Sequence, residues 1–152
     1  MNFKEYVYDK FIFKVKNEIY YHKDGCWVEK VGSMAVVGVT DFFQTLNGDT
    51  ASVSLFGIGV KVKQGAPIGD IETMKVSFEL TSPVSGEIIE HNKLLDNSPE
   101  LINLDPYGDG WLLKVRLDDF EKDKANLMDS KNYFDFMKLK VEEEGEKFKS
   151  GQ

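Results

Sequence analysis

The sequence predicts a mostly β fold, a flattened barrel or sandwich, with a short internal helix and helices at the C-terminal end. Three observations predict it. Short runs rich in Val, Ile, Phe and Thr recur from Tyr20 to about Leu117. Turn-forming residues separate those runs at close spacing. Beyond Leu117 the apolar period changes to that of an amphipathic helix.

Residues 1–18 form an N-terminal extension. Phe11, Phe13 and Val15 alternate with Ile12, Lys14 and Lys16, which reads as a strand, and the stretch before them admits a short helix. Further strands are expected at Met34–Val39, 51–55, 60–62, 87–90 and 111–115. Lys23-Asp24-Gly25, Asn47-Gly48-Asp49, Gln64-Gly65-Ala66-Pro67, Ser85-Gly86 and Asp109-Gly110 supply the turns. Many short strands at this spacing argue for a sandwich or barrel. One helix interrupts them: Thr40 caps it, Phe42, Phe43 and Leu46 form its buried side, and Gly48 ends it. Asp118 or Asp119 caps a short helix through Leu127. A second starts near Asp129, with Tyr133, Phe134, Met137 and Val141 on one apolar face. The main domain is thus 19–141, and residues 142–152 are a polar tail expected to fray.

Composition narrows the function. The 152 residues are 41% apolar and 30% charged, the balance of a soluble globular domain. The net charge of -7 repels phosphate backbones, which argues against nucleic acid as a partner. No apolar run is long enough for a bilayer, and no secretory signal is legible, so neither membrane nor export is expected. Cys26 is the single cysteine, which excludes an internal disulfide and a CxxC pair and points to a cytoplasmic setting. His22 and His91 have no metal-ligand spacing, and no phosphate-binding loop is present.

The informative stretch runs from Gly69 to Gly86. Two extended segments surround Glu72-Thr73-Met74-Lys75-Val76, which places Lys75 near the tip of a hairpin with its amine on a flexible stem. Taken alone, Lys75 is an ordinary surface lysine. Val60-Lys61-Val62-Lys63-Gln64-Gly65 and Val84-Ser85-Gly86-Glu87-Ile88-Ile89 flank it as a faint internal repeat.

Glu72-Thr73-Met74-Lys75-Val76, followed by Ser82-Pro83-Val84-Ser85-Gly86-Glu87, resembles the lipoylation hairpin of glycine cleavage H proteins. The resemblance extends to Trp27-Val28-Glu29, Val37-Gly38-Val39-Thr40-Asp41-Phe42-Phe43-Gln44 and Leu46-Asn47-Gly48-Asp49. It continues through Pro99-Glu100-Leu101-Ile102-Asn103 and Asp105-Pro106-Tyr107-Gly108-Asp109-Gly110-Trp111-Leu112. It covers roughly residues 20–140 in one register. It implies a flattened β-barrel or sandwich of the lipoyl-carrier type with lipoate attached to Lys75, and a non-catalytic role. By resemblance the partners are glycine decarboxylase, aminomethyltransferase and dihydrolipoyl dehydrogenase, together with a lipoate ligase or lipoyl synthesis enzymes. Glu72, Gly59 and Gly86 match positions by which the modifying enzyme recognises the hairpin, although simple turn geometry also accounts for both glycines.

The chain departs from the family at one place. Gly25-Cys26 precedes Trp27 where family members have His-Glu. The resemblance implies a cleft that shelters the loaded arm, with Glu79 retaining one acid and Cys26 standing where a second belongs. Cys26 is read as a small apolar residue beside Trp27, and a mixed disulfide with the arm is the sharper alternative. Two further readings remain. A lipoyl carrier of a heterodisulfide-reductase-like sulfur oxidation system fits a cleft short of a carboxylate. A biotin carrier shares the hairpin, but characteristically places methionine on both sides of the lysine, and Val76 follows Lys75 here.

Overall fold

The structure, a computed structural model, describes residues 2–150. Two strands, β1 (Phe3–Tyr8) and β2 (Phe11–Lys16), form an N-terminal hairpin of their own. The short helix admitted for the first residues is therefore a strand. Phe3, Glu5 and Val7 face one side and Lys4, Tyr6 and Tyr8 the other, a period of two. The reversal falls on Asp9, whose φ of 55° is tolerated by an Asx side chain.

The main body is built from antiparallel sheets that do not close into a barrel. Strands β3 (Tyr20–Tyr21), β4 (Cys26–Val31), β5 (Met34–Val39), β11 (Leu113–Leu117), β10 (Gly86–His91) and β7 (Lys61–Val62) lie side by side in that order. A second sheet places β8 (Pro67–Thr73) between β6 (Thr50–Leu55) and β9 (Ser77–Thr81). The main apolar core, including Val28, Val37, Ile68, Ile71, Leu80, Ile88 and Val115, belongs to strands of both sheets. This is the expected flattened sandwich.

Helix α1 (Asp41–Asn47) has the predicted cap, with the Thr40 hydroxyl accepting from Phe43 N at 3.1 Å. Phe43 packs against the main core and Phe42 against a second, aromatic core. A 3₁₀ turn (Lys93–Asp96) and α2 (Leu101–Leu104) occupy the connection that the sequence leaves irregular. Helix α3 (Phe120–Lys124) is shorter than expected and is capped by Asp119. Helix α4 (Ser130–Glu143) starts from Asp129, and Tyr133, Met137 and Val141 are its buried side.

The tail corrects the expectation of fraying. Gly145–Ser150 is a further helix, α5, and Phe148 is 4% exposed. Its ring packs against Phe11, Phe13 and Phe42. One aromatic anchors a segment whose remaining residues are mostly charged or polar. Residues 151 and 152 lie outside the described residues.

Candidate functional site: the lysine turn between β8 and β9

The pair Glu72↔Ser77 is the last rung of the β8–β9 ladder, and Met74, Lys75 and Val76 make the turn beyond it. Thr73 shapes that turn. Its hydroxyl accepts from Lys75 N at 3.2 Å and Val76 N at 3.0 Å and donates to Val76 O, while its own N–H donates to Val76 O at 2.8 Å. A hydroxyl that satisfies adjacent backbone amides holds a tight turn without glycine. Asp49 O accepts from Met74 N at 2.9 Å and ties the turn to the end of α1.

Lys75 is exposed, and among the described residues it enters no ion pair. Its stem lies over Gly48, where an added Cβ would meet Lys75 Cδ at 3.4 Å. Met74 and Val76 beside it are 77% and 48% exposed, a large apolar exposure for two neighbours. A primary amine so placed is open to acylation, and an amide there keeps a long arm free of the sheet.

The other predicted residues divide into three groups. Glu72 and Glu79 both point outward from the three-stranded sheet below Lys75. Ser52 Oγ donates to Glu72 at 3.4 Å, and Glu79 stands opposite Asp70 across the ladder. Gly59 and Gly86 lie close together at the far end of the hairpin. Val62 pairs with Gly86, and Gly59 N donates to Ile88 O at 2.7 Å. The seven-residue β8 alone separates them from the turn by ~20 Å at ~3.3 Å per residue. Gly59 is a turn residue with φ 91°. Gly86 is not: it sits within β10, where a Cβ would fall 2.0 Å from Arg116 O, so close backbone approach requires it.

Cys26 belongs to neither group. It is 2% exposed in the main core, and burial pushes its thiol up to about 12. A thiol so buried and so reluctant to ionise does not attack a disulfide. The mixed-disulfide reading therefore fails for the folded chain, and the apolar reading holds, with Cys26 fully rather than partly buried.

Sequence reasoning missed the turn's supports, Thr73, Gly48 and Asp49, although Thr two residues before an exposed lysine is itself a turn signal. It also missed an apolar cavity of about 200 Å³ between α1, the Lys23–Asp24–Gly25 turn and α4. Phe43 forms one wall. Its ring lies against Gly25, where a Cβ would meet Cδ2 at 2.3 Å, and meets Phe78 edge-on at 4.9 Å.

Residues 19–140 match the family model described as glycine cleavage H-protein. The chain belongs to the glycine cleavage H-protein family. Members of this family are non-catalytic, lipoyl-bearing carriers of a multienzyme system. A probable glycine cleavage system H protein of Pyrococcus abyssi is 41% identical over 127 residues, covering 83% of this chain and 94% of the relative. The glycine cleavage system H protein of Carboxydothermus hydrogenoformans is 36% identical over 132 residues, covering 87% and 98%. The crystal structure of an H protein from Mycobacterium marinum superposes with a TM-score of 0.68 at 27% identity, covering 78% of this chain and 95% of that one. The H-protein match leaves the N-terminal hairpin and α5 outside it. Among the described residues no helix is long and apolar enough to cross a membrane.

Proposed function

We propose that Lys75 carries a lipoyl group in amide linkage and that the chain carries the aminomethyl unit released from glycine. One observation supports this most directly: an exposed lysine, outside any ion pair, at the tip of a hairpin whose turn is fixed by the Thr73 hydroxyl and by Asp49. The residues fit the group. The lysine stem already rests on the backbone of Gly48, and its amine projects beyond the sheet. When bound, the lipoyl ring supplies a disulfide that opens to accept cargo on sulfur and closes again on oxidation.

The chain's residues position that chemistry. The rigid hairpin presents the arm at high effective concentration to each partner it meets. Those partners are glycine decarboxylase, aminomethyltransferase and dihydrolipoyl dehydrogenase, acting in the cytoplasm. Glu72, three residues before Lys75 and exposed on the same hairpin, is read by the lipoate ligase or lipoyl synthesis enzymes. Gly59 and Gly86 influence that recognition by shaping the base of the hairpin. Glu79 contributes negative charge outside the turn, and Cys26 supports the wall beneath it.

The test is direct. The purified protein is incubated with lipoate, ATP and a lipoate ligase, and its intact mass and Lys75 peptide are measured. One lipoyl addition on Lys75, none on Lys75→Arg, and glycine-dependent carbon dioxide exchange with glycine decarboxylase are expected. Addition at another lysine, or none at all, overturns the assignment. Modification without exchange overturns the glycine role alone.

A further inference from the structure

The cavity between α1 and α4 lies at the foot of the lysine turn. Its apolar walls include Phe42, Phe43, Leu46, Phe136 and Met137. Asn47 at one edge directly precedes Gly48, the residue under the Lys75 stem. Helix α1 is about 10 Å long at ~1.5 Å per residue, so an arm of octanoyl length beginning at Lys75 Nζ reaches these walls.

Charge is confined to the rim, and its sign matters. Lys23, Asp24 and Lys140 are the charged residues lining the cavity. Asp24 is the single carboxylate, and its Oδ2 already accepts from the Thr81 hydroxyl at 3.1 Å. The same oxygen lies 3.5 Å from Nδ1 of His22. Lys140 lies 3.6 Å from Glu143, which faces away along α4 and does not line the cavity. An uncharged dithiolane loses apolar surface to these walls and needs no hydrogen bond. An ammonium would have to shed water among aromatic rings beside two lysines and one engaged carboxylate, which is costly without a dedicated counter-charge.

We propose that the cavity holds the arm of Lys75 only while that arm is uncharged, and that cationic aminomethyl cargo keeps the loaded arm outside it. The inference rests on lipoylation of Lys75. Storage of the empty arm and display of the full one would bias the carrier toward the partner that unloads it.

Met137 supplies the probe, because its side chain lines the cavity. The protein is labelled with ¹³C-methyl methionine, and lipoylation is verified by intact mass. Spectra are recorded for the unmodified, oxidised, reduced and loaded forms. Loading is done chemically: a dihydrolipoyl thiol, formaldehyde and ammonium give an S-CH₂-NH₃⁺ group and one water. The Met137 methyl resonance should move on lipoylation in the oxidised and reduced forms and return to its unmodified position on loading. In Lys23→Glu/Lys140→Glu, with the rim charge reversed, it should stay moved on loading. A lipoylated protein whose Met137 signal never moves overturns the cavity as the resting place. A signal that stays moved in the loaded wild type overturns the charge selection. Absence of the lipoyl mass refutes the earlier assignment of Lys75 instead, so the two failures are separate.

Discussion

At Thr73 one hydroxyl serves two turn amides and one carbonyl. Thr73→Ala leaves the Lys75 and Val76 amides to solvent and should cost about 1 kcal/mol. The larger effect should be on modification, since a loosened turn presents the amine in many orientations. Thermal unfolding and the initial rate of lipoyl addition measure the two separately, and an unchanged rate would deny Thr73 a role in presentation. A pH effect resides in His22. Burial lowers its pKa and outweighs the neighbouring Asp24, while Nδ1 accepts from Asp24 N at 3.1 Å, so the folded ring is neutral despite its nearness to the Asp24 carboxylate. The unfolded histidine, at about 6.5, takes up protons first as pH falls. Stability tied to His22 is therefore complete above about 6.5 and declines as pH drops from there toward the folded pKa. His22→Gln should flatten that decline in melting temperature, and an identical slope in both proteins would exclude His22 as its source. Lys75 was legible because several motifs in one register identify its hairpin. Burial of Cys26 was not. Cys26 and Trp27 are successive residues on opposite faces of β4, yet one enters the main core and the other the aromatic core. A strand covered on both faces shows no alternation from which orientation can be read.

Strands β7 and β10 offer a test of whether the two flanking glycines act in recognition or in packing. Gly86→Ala drives a methyl into Arg116 O and should destabilise by about 1–3 kcal/mol. Gly59→Ala meets nothing within 4 Å, and only its φ of 91° opposes a side chain, for about 1 kcal/mol. Denaturant midpoints should therefore fall more for Gly86 than for Gly59. If Gly59→Ala still slows lipoyl addition strongly, its exposed backbone contacts the modifying enzyme. Equal midpoints would remove the steric account of Gly86. Elements with strong local signals were readable in advance: α1 from Thr40 and Gly48, α4 from Asp129 and its apolar stripe. The N-terminal hairpin was less so, because β1 carries aromatics on both faces and its turn at Asp9-Lys10 contains neither Gly nor Pro. The 3₁₀ turn and α2 are too short for a period to show.

At the scale of the molecule, the segments outside the family match meet on one side and hold α1. Lys14 N donates to Asp41 Oδ2 at 2.8 Å, Tyr107 OH donates to Lys14 O at 2.9 Å, and Tyr6 OH donates to Glu142 at 2.9 Å. Phe11, Phe13 and Phe148 surround Phe42, and Phe42 lies on the helix that ends beneath Lys75. Neither end predicts this arrangement alone, since β2 and α5 gain their apolar partners from each other and from α1. Phe148→Ala should therefore cost about 3 kcal/mol, the scale of removing a buried aromatic. The loss should not stay in the tail. Hydrogen exchange should quicken at the amides of α1 and of Met74, whose N–H bonds to Asp49 O just past that helix. The main core shares none of these aromatic contacts, so amides of β5 and β11 should keep their protection apart from the global loss. Faster exchange in α5 with no change in α1 would show that the tail covers the aromatic core without restraining the helix under the lysine.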